Sequence, residues 1–255
     1  MKKWVLSLGI SVCAFHAHAQ GPLVIRFGVD PTYPPFESKL ADGSLVGFDI
    51  DLGNALCARL QAKCTWVENA FDGLIPALQA RKFDAILSSL SITEERQKTI
   101  SFTNPLYFTP SRLIAATGSG LAPDSASLHG KRIGVAQGSV QETYAKRHWA
   151  TVGAEIVSYP DQEQVYPDLR GGRLDAAFQD SLAAKSGFLD KPQGKGFTFA
   201  GPPVGNAAVF GAAAIGVRKS DRALIEQLNQ AQSEIKKDGT YARLAKKYFD
   251  FDPTP

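Results

Sequence analysis

The chain has 255 residues and a formal charge of +3, with 28 basic side chains against 25 acidic ones. It has no basic run, so electrostatics gives no case for a nucleic-acid partner. No G-x-S-x-G elbow, H-E-x-x-H or Gly-rich phosphate loop occurs, and His129 and His148 lack metal-ligand spacing, so no catalytic residue, metal or cofactor is expected.

In chain order, residues 1–19 read as a signal peptide. Lys2 and Lys3 form its positive start, Trp4 to Phe15 its apolar stretch, and Ala17-His18-Ala19 its small-x-small cleavage site. The apolar stretch falls short of the roughly 20 residues that span a bilayer, and no later segment reaches that length. A lipoprotein reading through Cys13 is opposed by the bulky Val12 and by the better site at Ala19. Export to the periplasm and a soluble mature chain are therefore expected. Losing Lys2 and Lys3 lowers the formal charge to +1. About 235 residues remain, more than a typical single domain, which suggests two lobes.

Leu23 to Val29 reads as a strand ending in the turn Asp30-Pro31-Thr32-Tyr33-Pro34-Pro35. Asp49 to Leu60 has helical spacing. Cys57 and Cys64, an even pair in an exported chain, read as a disulfide rather than two thiols. Cys64 to Val67 is a predicted strand, Asp72 to Ala80 a helix, and Phe83 to Ser88 a strand. A short helix starts near Thr93, and Arg112 to Ala116 is a strand close to a change of lobe.

The rhythm restarts after Thr117-Gly118-Ser119-Gly120. Strands are predicted over Arg132 to Ala136, Glu155 to Tyr159, Leu174 to Gln179, Phe197 to Ala200 and Ala212 to Val217. Helices are predicted over Val140 to Trp149, Val165 to Arg170, Leu182 to Gly187, Arg222 to Lys237 and Tyr241 to Tyr248. Such alternation implies an α/β protein of two doubly wound lobes, each with a parallel sheet between helices. Ligands in such sheets sit beyond the carboxyl ends of strands.

Strand ends supply the candidates. Ser91 with Glu94 fits a capping box. Arg96 then falls in the first helical turn, where a cation opposes the helix dipole. An anion held by Arg96 and free amides would resolve that conflict; a solvated arginine is the bland alternative. In the second half, Gln137-Gly138-Ser139-Val140-Gln141 opens a helix. There Ser139 or the Val140 amide is placed to donate to an anion. Asp180 suits a ligand ammonium or simply caps its helix. Asp30 meets a second positive charge or only turns the chain, and Asp49 supports it or starts its own helix. Tyr33 and Phe71 either sandwich a ligand or pack locally.

Gly47-Phe48-Asp49-Ile50-Asp51-Leu52, Ile86-Leu87-Ser88-Ser89-Leu90-Ser91-Ile92-Thr93, Arg96, Gly138-Ser139-Val140-Gln141-Glu142 and Gly172-Arg173-Leu174-Asp175-Ala176-Ala177 occur in that order. Asp238-Gly239-Thr240-Tyr241 and Lys246-Lys247-Tyr248-Phe249 follow. Together, from about Val24 to Asp252, they resemble the periplasmic polar amino-acid binding proteins of ABC importers (solute-binding protein family 3), particularly the lysine/arginine/ornithine and histidine binders. The resemblance implies two lobes of the type II periplasmic binding protein kind, joined by two crossing strands. The first would comprise residues 20–108 plus 211–255, and the second 109–210 with hinge segments at its ends.

It also implies roles. Arg96 with the amides of Ser91 and Val140 would hold an α-carboxylate, and Ser89 and Asp180 an α-ammonium. Tyr33 and Phe71 would flank the side chain. Asp30, helped by Ser88, would meet its distal charge, and Ser139 and Gln141 would line the second-lobe wall. A Cys57–Cys64 bridge is implied too. Val140 departs from the threonine usual in those binders, which leaves the backbone donor but removes a hydroxyl. A monomer that captures a basic L-amino acid and passes it to permease subunits is the expected function. Alternatives are an opine binder, an enzyme resembling cyclohexadienyl dehydratases, or a sensory ligand domain.

Overall fold

The computed structural model describes residues 23–254. The expected signal peptide therefore lies outside the described residues. Two five-stranded sheets organise the chain. The first has the order Lys63–Glu68, Val24–Val29, Ala85–Ile86, Gly216–Arg218, Ile100–Phe102. The second has the order Glu155–Tyr159, Arg132–Ala136, Ala176–Asp180, Ser111–Ala116, Phe197–Val204.

Neither sheet is wholly parallel, which corrects the sequence expectation. Val24–Val29 pairs parallel with both its neighbours, but Gly216–Arg218 is antiparallel to Ala85–Ile86 and to Ile100–Phe102. Ser111–Ala116 is likewise antiparallel to Ala176–Asp180 and to Phe197–Val204. The cause is connectivity. The chain enters the second lobe after Phe102 and returns after Val204, and the strands flanking these passages run against the parallel core.

The passages themselves are extended segments joined by an isolated bridge at Tyr107 and Ala213, rather than full strands. Two backbone bonds hold them, Ala213 N to Tyr107 O at 2.8 Å and Leu106 N to Ala213 O at 2.8 Å. Gly211, at φ +76°, fits here because a Cβ would lie 1.9 Å from the Ile92 carbonyl oxygen.

Each lobe has its own core. In the first, the helix Phe48–Arg59 presents Phe48, Leu52 and Leu56 to a cluster with Phe27, Phe36, Tyr107 and Ile215. Each such side chain contributes on the order of 2 kcal/mol by leaving water. The helices Arg222–Lys237 and Thr240–Tyr248 complete this face through Leu228, Ile235, Tyr241 and Ala245. In the second lobe, Ile133, Val135, Trp149 and Phe178 pack on one side of the sheet. Val165, Leu169 and Phe188 cover the other.

The expected disulfide is present: Cys57 at the end of its helix is joined to Cys64, with Cα atoms 5.8 Å apart. It ties the helix Phe48–Arg59 to the strand Lys63–Glu68. A small sheet of Thr32–Tyr33, Glu37–Lys39 and Leu45–Val46 was not foreseen; it folds the Pro-rich turn back over the first lobe.

Candidate functional site

The carboxyl ends of the core strands from both lobes open on one cleft. Val29 delivers Asp30, Ile86 leads to Ser89 and Ser91, Ala136 leads to Ser139, and Asp180 ends its own strand. Asp30, Tyr33, Phe71, Ser89, Ser91 and Arg96 line the cleft from the first lobe. Ser139, Val140, Gln141 and Asp180 line it from the second.

Arg96 lies in the first turn of Glu94–Thr99, a helix capped by Thr93, whose hydroxyl accepts the Arg96 amide at 3.2 Å. The expected Ser91/Glu94 capping box does not form. Ser91 instead bridges to Ala213, and its carbonyl accepts Arg96 Nη1 at 2.8 Å. Arg96 Nη2 reaches across to the Gly138 carbonyl at 3.0 Å, and the guanidinium sits 5.5 Å from the Phe71 ring centre. Burial pushes Arg96 down to about 10, still charged at neutral pH. Among the described residues, no carboxylate forms an ion pair with it.

Facing it is the helix Val140–His148. Ser139 caps it, accepting the Glu142 amide at 3.0 Å, while Glu142 reaches back to the Gly138 amide at 2.7 Å. The first-turn amides of Val140 and Gln141 have no carbonyl a turn behind them, which suits an anion. Gln141 Nε2 donates to Ser111 Oγ at 2.9 Å and is thereby fixed against the wall.

Asp180 is buried and caps Ser181–Ala184, with Oδ1 accepting the amides of Leu182 at 2.8 Å and Ala183 at 3.2 Å. Its other oxygen accepts the Thr109 hydroxyl. Burial pushes its carboxyl up to about 6 despite these bonds. Its amide donates to the Tyr33 hydroxyl at 3.3 Å, a link between the lobes. Asp30 is also buried, with its oxygens accepting Thr32 Oγ1 at 2.9 Å and the Phe71 amide at 3.0 Å. Burial raises its carboxyl above the ordinary value.

Ser88 and Asp49, expected to back Asp30, do not line the cleft themselves. Both are fully buried one layer behind it. Ser88 Oγ accepts the Asp30 amide at 3.0 Å and donates to Glu37 at 3.0 Å, so it fixes Asp30 from the rear. Asp49 supports Ser89 rather than Asp30: its oxygens accept the Ser89 amide at 2.8 Å and the Tyr107 hydroxyl at 2.9 Å. Those bonds hold Ser89 at φ +47°, an uncommon conformation for a residue with a Cβ. Tyr107 is itself wedged between Phe36 and Phe48, at centroid distances of 5.2 and 5.3 Å. The core thus sets the angle of the cleft wall.

Sequence reasoning missed Glu37, Thr109, Ser111, Asp161 and Gln162, all of which line the cleft. Asp161 follows the predicted strand Glu155–Tyr159, so the strand-end rule had the signal for it. Glu37 had none, because it arrives on the small unforeseen sheet. Burial and the adjacent Asp49 push Glu37 well above the usual carboxylate range.

Comparison with known proteins places the chain in one family. The family model for bacterial extracellular solute-binding proteins, family 3, matches residues 25–251. The histidine-binding periplasmic protein of Salmonella typhimurium LT2 is 56% identical over 99% of this chain and 98% of its own length. The lysine/arginine/ornithine-binding periplasmic protein of Escherichia coli K12 is 52% identical, again covering 99% of this chain and 98% of that protein. Among solved structures, an ancestral arginine-binding protein bound to arginine superposes with a TM-score of 0.83 at 33% identity, covering 89% of this chain and 98% of that one. On its sequence, its fold and the cleft between its lobes, the chain belongs to the bacterial extracellular solute-binding proteins, family 3.

Proposed function

We propose that the protein captures a basic L-amino acid such as arginine, lysine, ornithine or histidine by closing its two lobes, and delivers it to the permease subunits of an ABC importer. The single observation carrying this reading is the imbalance of charge in the cleft. One guanidinium, Arg96, without a carboxylate partner among the described residues, faces the carboxyl groups of Asp30, Asp161 and Asp180. An α-amino acid matches this with its own poles. Its carboxylate meets Arg96 and the first-turn amides of Val140 and Gln141. Its ammonium meets Asp180 and Ser89. Asp30 then lacks a cation unless the ligand's side chain supplies one. Phe71 and Tyr33 bound the space between, suited to a methylene chain.

The ligand would touch both lobes at once, so it favours the closed form by contacts absent when the lobes part. Residues 20–108 with 211–255 act as one body and 109–210 as the other. Residues 1–19 direct the chain to the periplasm, where it works as a monomeric carrier rather than an enzyme. A thermal-shift screen of the mature protein against amino acids and opines tests the reading. Arginine, lysine, ornithine or histidine is expected to raise the unfolding temperature in proportion to the logarithm of concentration. A shift only with acidic or apolar amino acids, or with opines alone, would sink it.

A further inference from the structure

The second lobe carries a carboxylate whose charge nothing among the described residues answers. Asp161 lies just beyond the strand Glu155–Tyr159 and lines the cleft together with Asp30 of the first lobe. Its local role is modest: Oδ1 accepts the Gln164 amide at 3.0 Å and Oδ2 accepts the Gln164 side chain. A neutral Ser or Asn serves equally well for such a bond. Burial raises the carboxyl values of Asp30 and the neighbouring Glu163, and the Asp161 charge beside them adds to the rise. Among the described residues, none of these three acids forms an ion pair.

A second observation marks the same end of the cleft as incomplete. Gln162, next in sequence, is only 2% exposed and lines the cleft, yet its side-chain nitrogen has no hydrogen-bond partner among the described residues. A polar group left unpaired at that depth is costly and points to a polar ligand atom still to arrive.

We infer that Asp161 is a specificity-determining residue, pairing from the second lobe with the distal cation of the ligand while Asp30 holds that cation from the first. The inference rests on the basic amino-acid reading above and sharpens it. Two carboxylates on opposite walls favour a guanidinium, whose planar fork offers donors on more than one side, over a compact ammonium. They also make lobe closure depend on the ligand's side-chain charge, because without a cation the closing walls bring like charges together.

Calorimetric titration of the parent protein and Asp161→Asn with L-arginine and with its uncharged isostere L-citrulline tests this. The variant is expected to bind arginine about tenfold or more weakly, with citrulline affinity changed by less than about twofold. Equal losses for both ligands, or no loss for arginine, would overturn the role of Asp161 while leaving the basic amino-acid reading intact. A parent protein that binds no basic amino acid would instead overturn that reading. If Asp161→Asn folds poorly, Asp161→Ser keeps a capping oxygen and serves the same comparison.

Discussion

Replacing Arg96 with alanine is expected to weaken every α-amino acid ligand by about a hundredfold or more, whatever its side chain. Removing one partner of a buried, hydrogen-bonded charge pair costs roughly 2–5 kcal/mol, and each 1.4 kcal/mol is tenfold in affinity. The loss should be general because Arg96 faces the part common to all such ligands. It should also be out of proportion to any change in fold. The bonds from Arg96 to the Ser91 and Gly138 carbonyls are, among the described residues, all the hydrogen bonding its guanidinium gives the protein. Arg96→Lys should recover part of the affinity, since it keeps the charge but not the two-pronged geometry. Titration calorimetry with arginine and with glutamine reads the effect. Retained affinity in Arg96→Ala, with an unchanged unfolding temperature, would remove Arg96 from the site.

Asp180→Asn should move binding and stability in opposite directions. Its carboxyl stands at about 6 in the folded protein against an ordinary value of 3.8. The sign follows from linkage. Between those values the folded state binds the proton more than the unfolded state does, so this group's contribution to stability falls as pH rises through the window and stays lost above it. The penalty in the ligand-free protein at neutral pH is on the order of 2–3 kcal/mol, about 1.4 kcal/mol for each pH unit of displacement. Asparagine preserves an oxygen for the Leu182 and Ala183 amides without the charge.

The ligand-free variant is therefore expected to unfold on the order of 5 °C higher at pH 7.5, with the difference vanishing as pH falls towards 4. Arginine affinity should fall about a hundredfold, because the ligand's ammonium loses its counter-charge. Scanning calorimetry across pH, with a titration at pH 7.5, checks both halves. A variant that is less stable at every pH would show Asp180 to be purely structural. The pattern is the usual one for a binding site that keeps an unfavourable charge in readiness for its ligand.

How far this was legible in the sequence depended on how much pattern each element carried. Arg132–Ala136 and Glu155–Tyr159 were read to the residue, because each is a β-rich run bounded by turn residues. The two- and three-residue strands Thr32–Tyr33, Glu37–Lys39, Leu45–Val46 and Ile100–Phe102 were missed, being too short to display alternation. Phe197–Val204 runs past its expected end at Ala200 through Pro202 and Pro203. It is the edge strand of its sheet and its register shifts between Ala200 and Val204, the two conditions under which proline is tolerated in a strand.

The site divides the same way. Residues at strand ends, such as Asp30, Ser91 and Asp180, were found by asking where parallel strands terminate. Depth was not legible. Nothing in the order of residues separates Ser89, which faces the cleft, from Ser88, whose hydroxyl turns back towards Glu37. Asp49 was read as an aid to Asp30, yet it supports Ser89, since that choice depends on how the helix Phe48–Arg59 packs beneath Tyr107. Glu37 became visible only once the small sheet brought it to the cleft, whereas Asp161 stands just past a strand end that the same question could have reached.

One structure decides most. Crystals of the mature protein grown with L-arginine should show a single ligand buried between the lobes, its carboxylate about 3 Å from the Arg96 guanidinium and its own guanidinium at Asp30. Density for arginine in the reverse orientation, or bound outside the cleft with the lobes apart, would contradict the account.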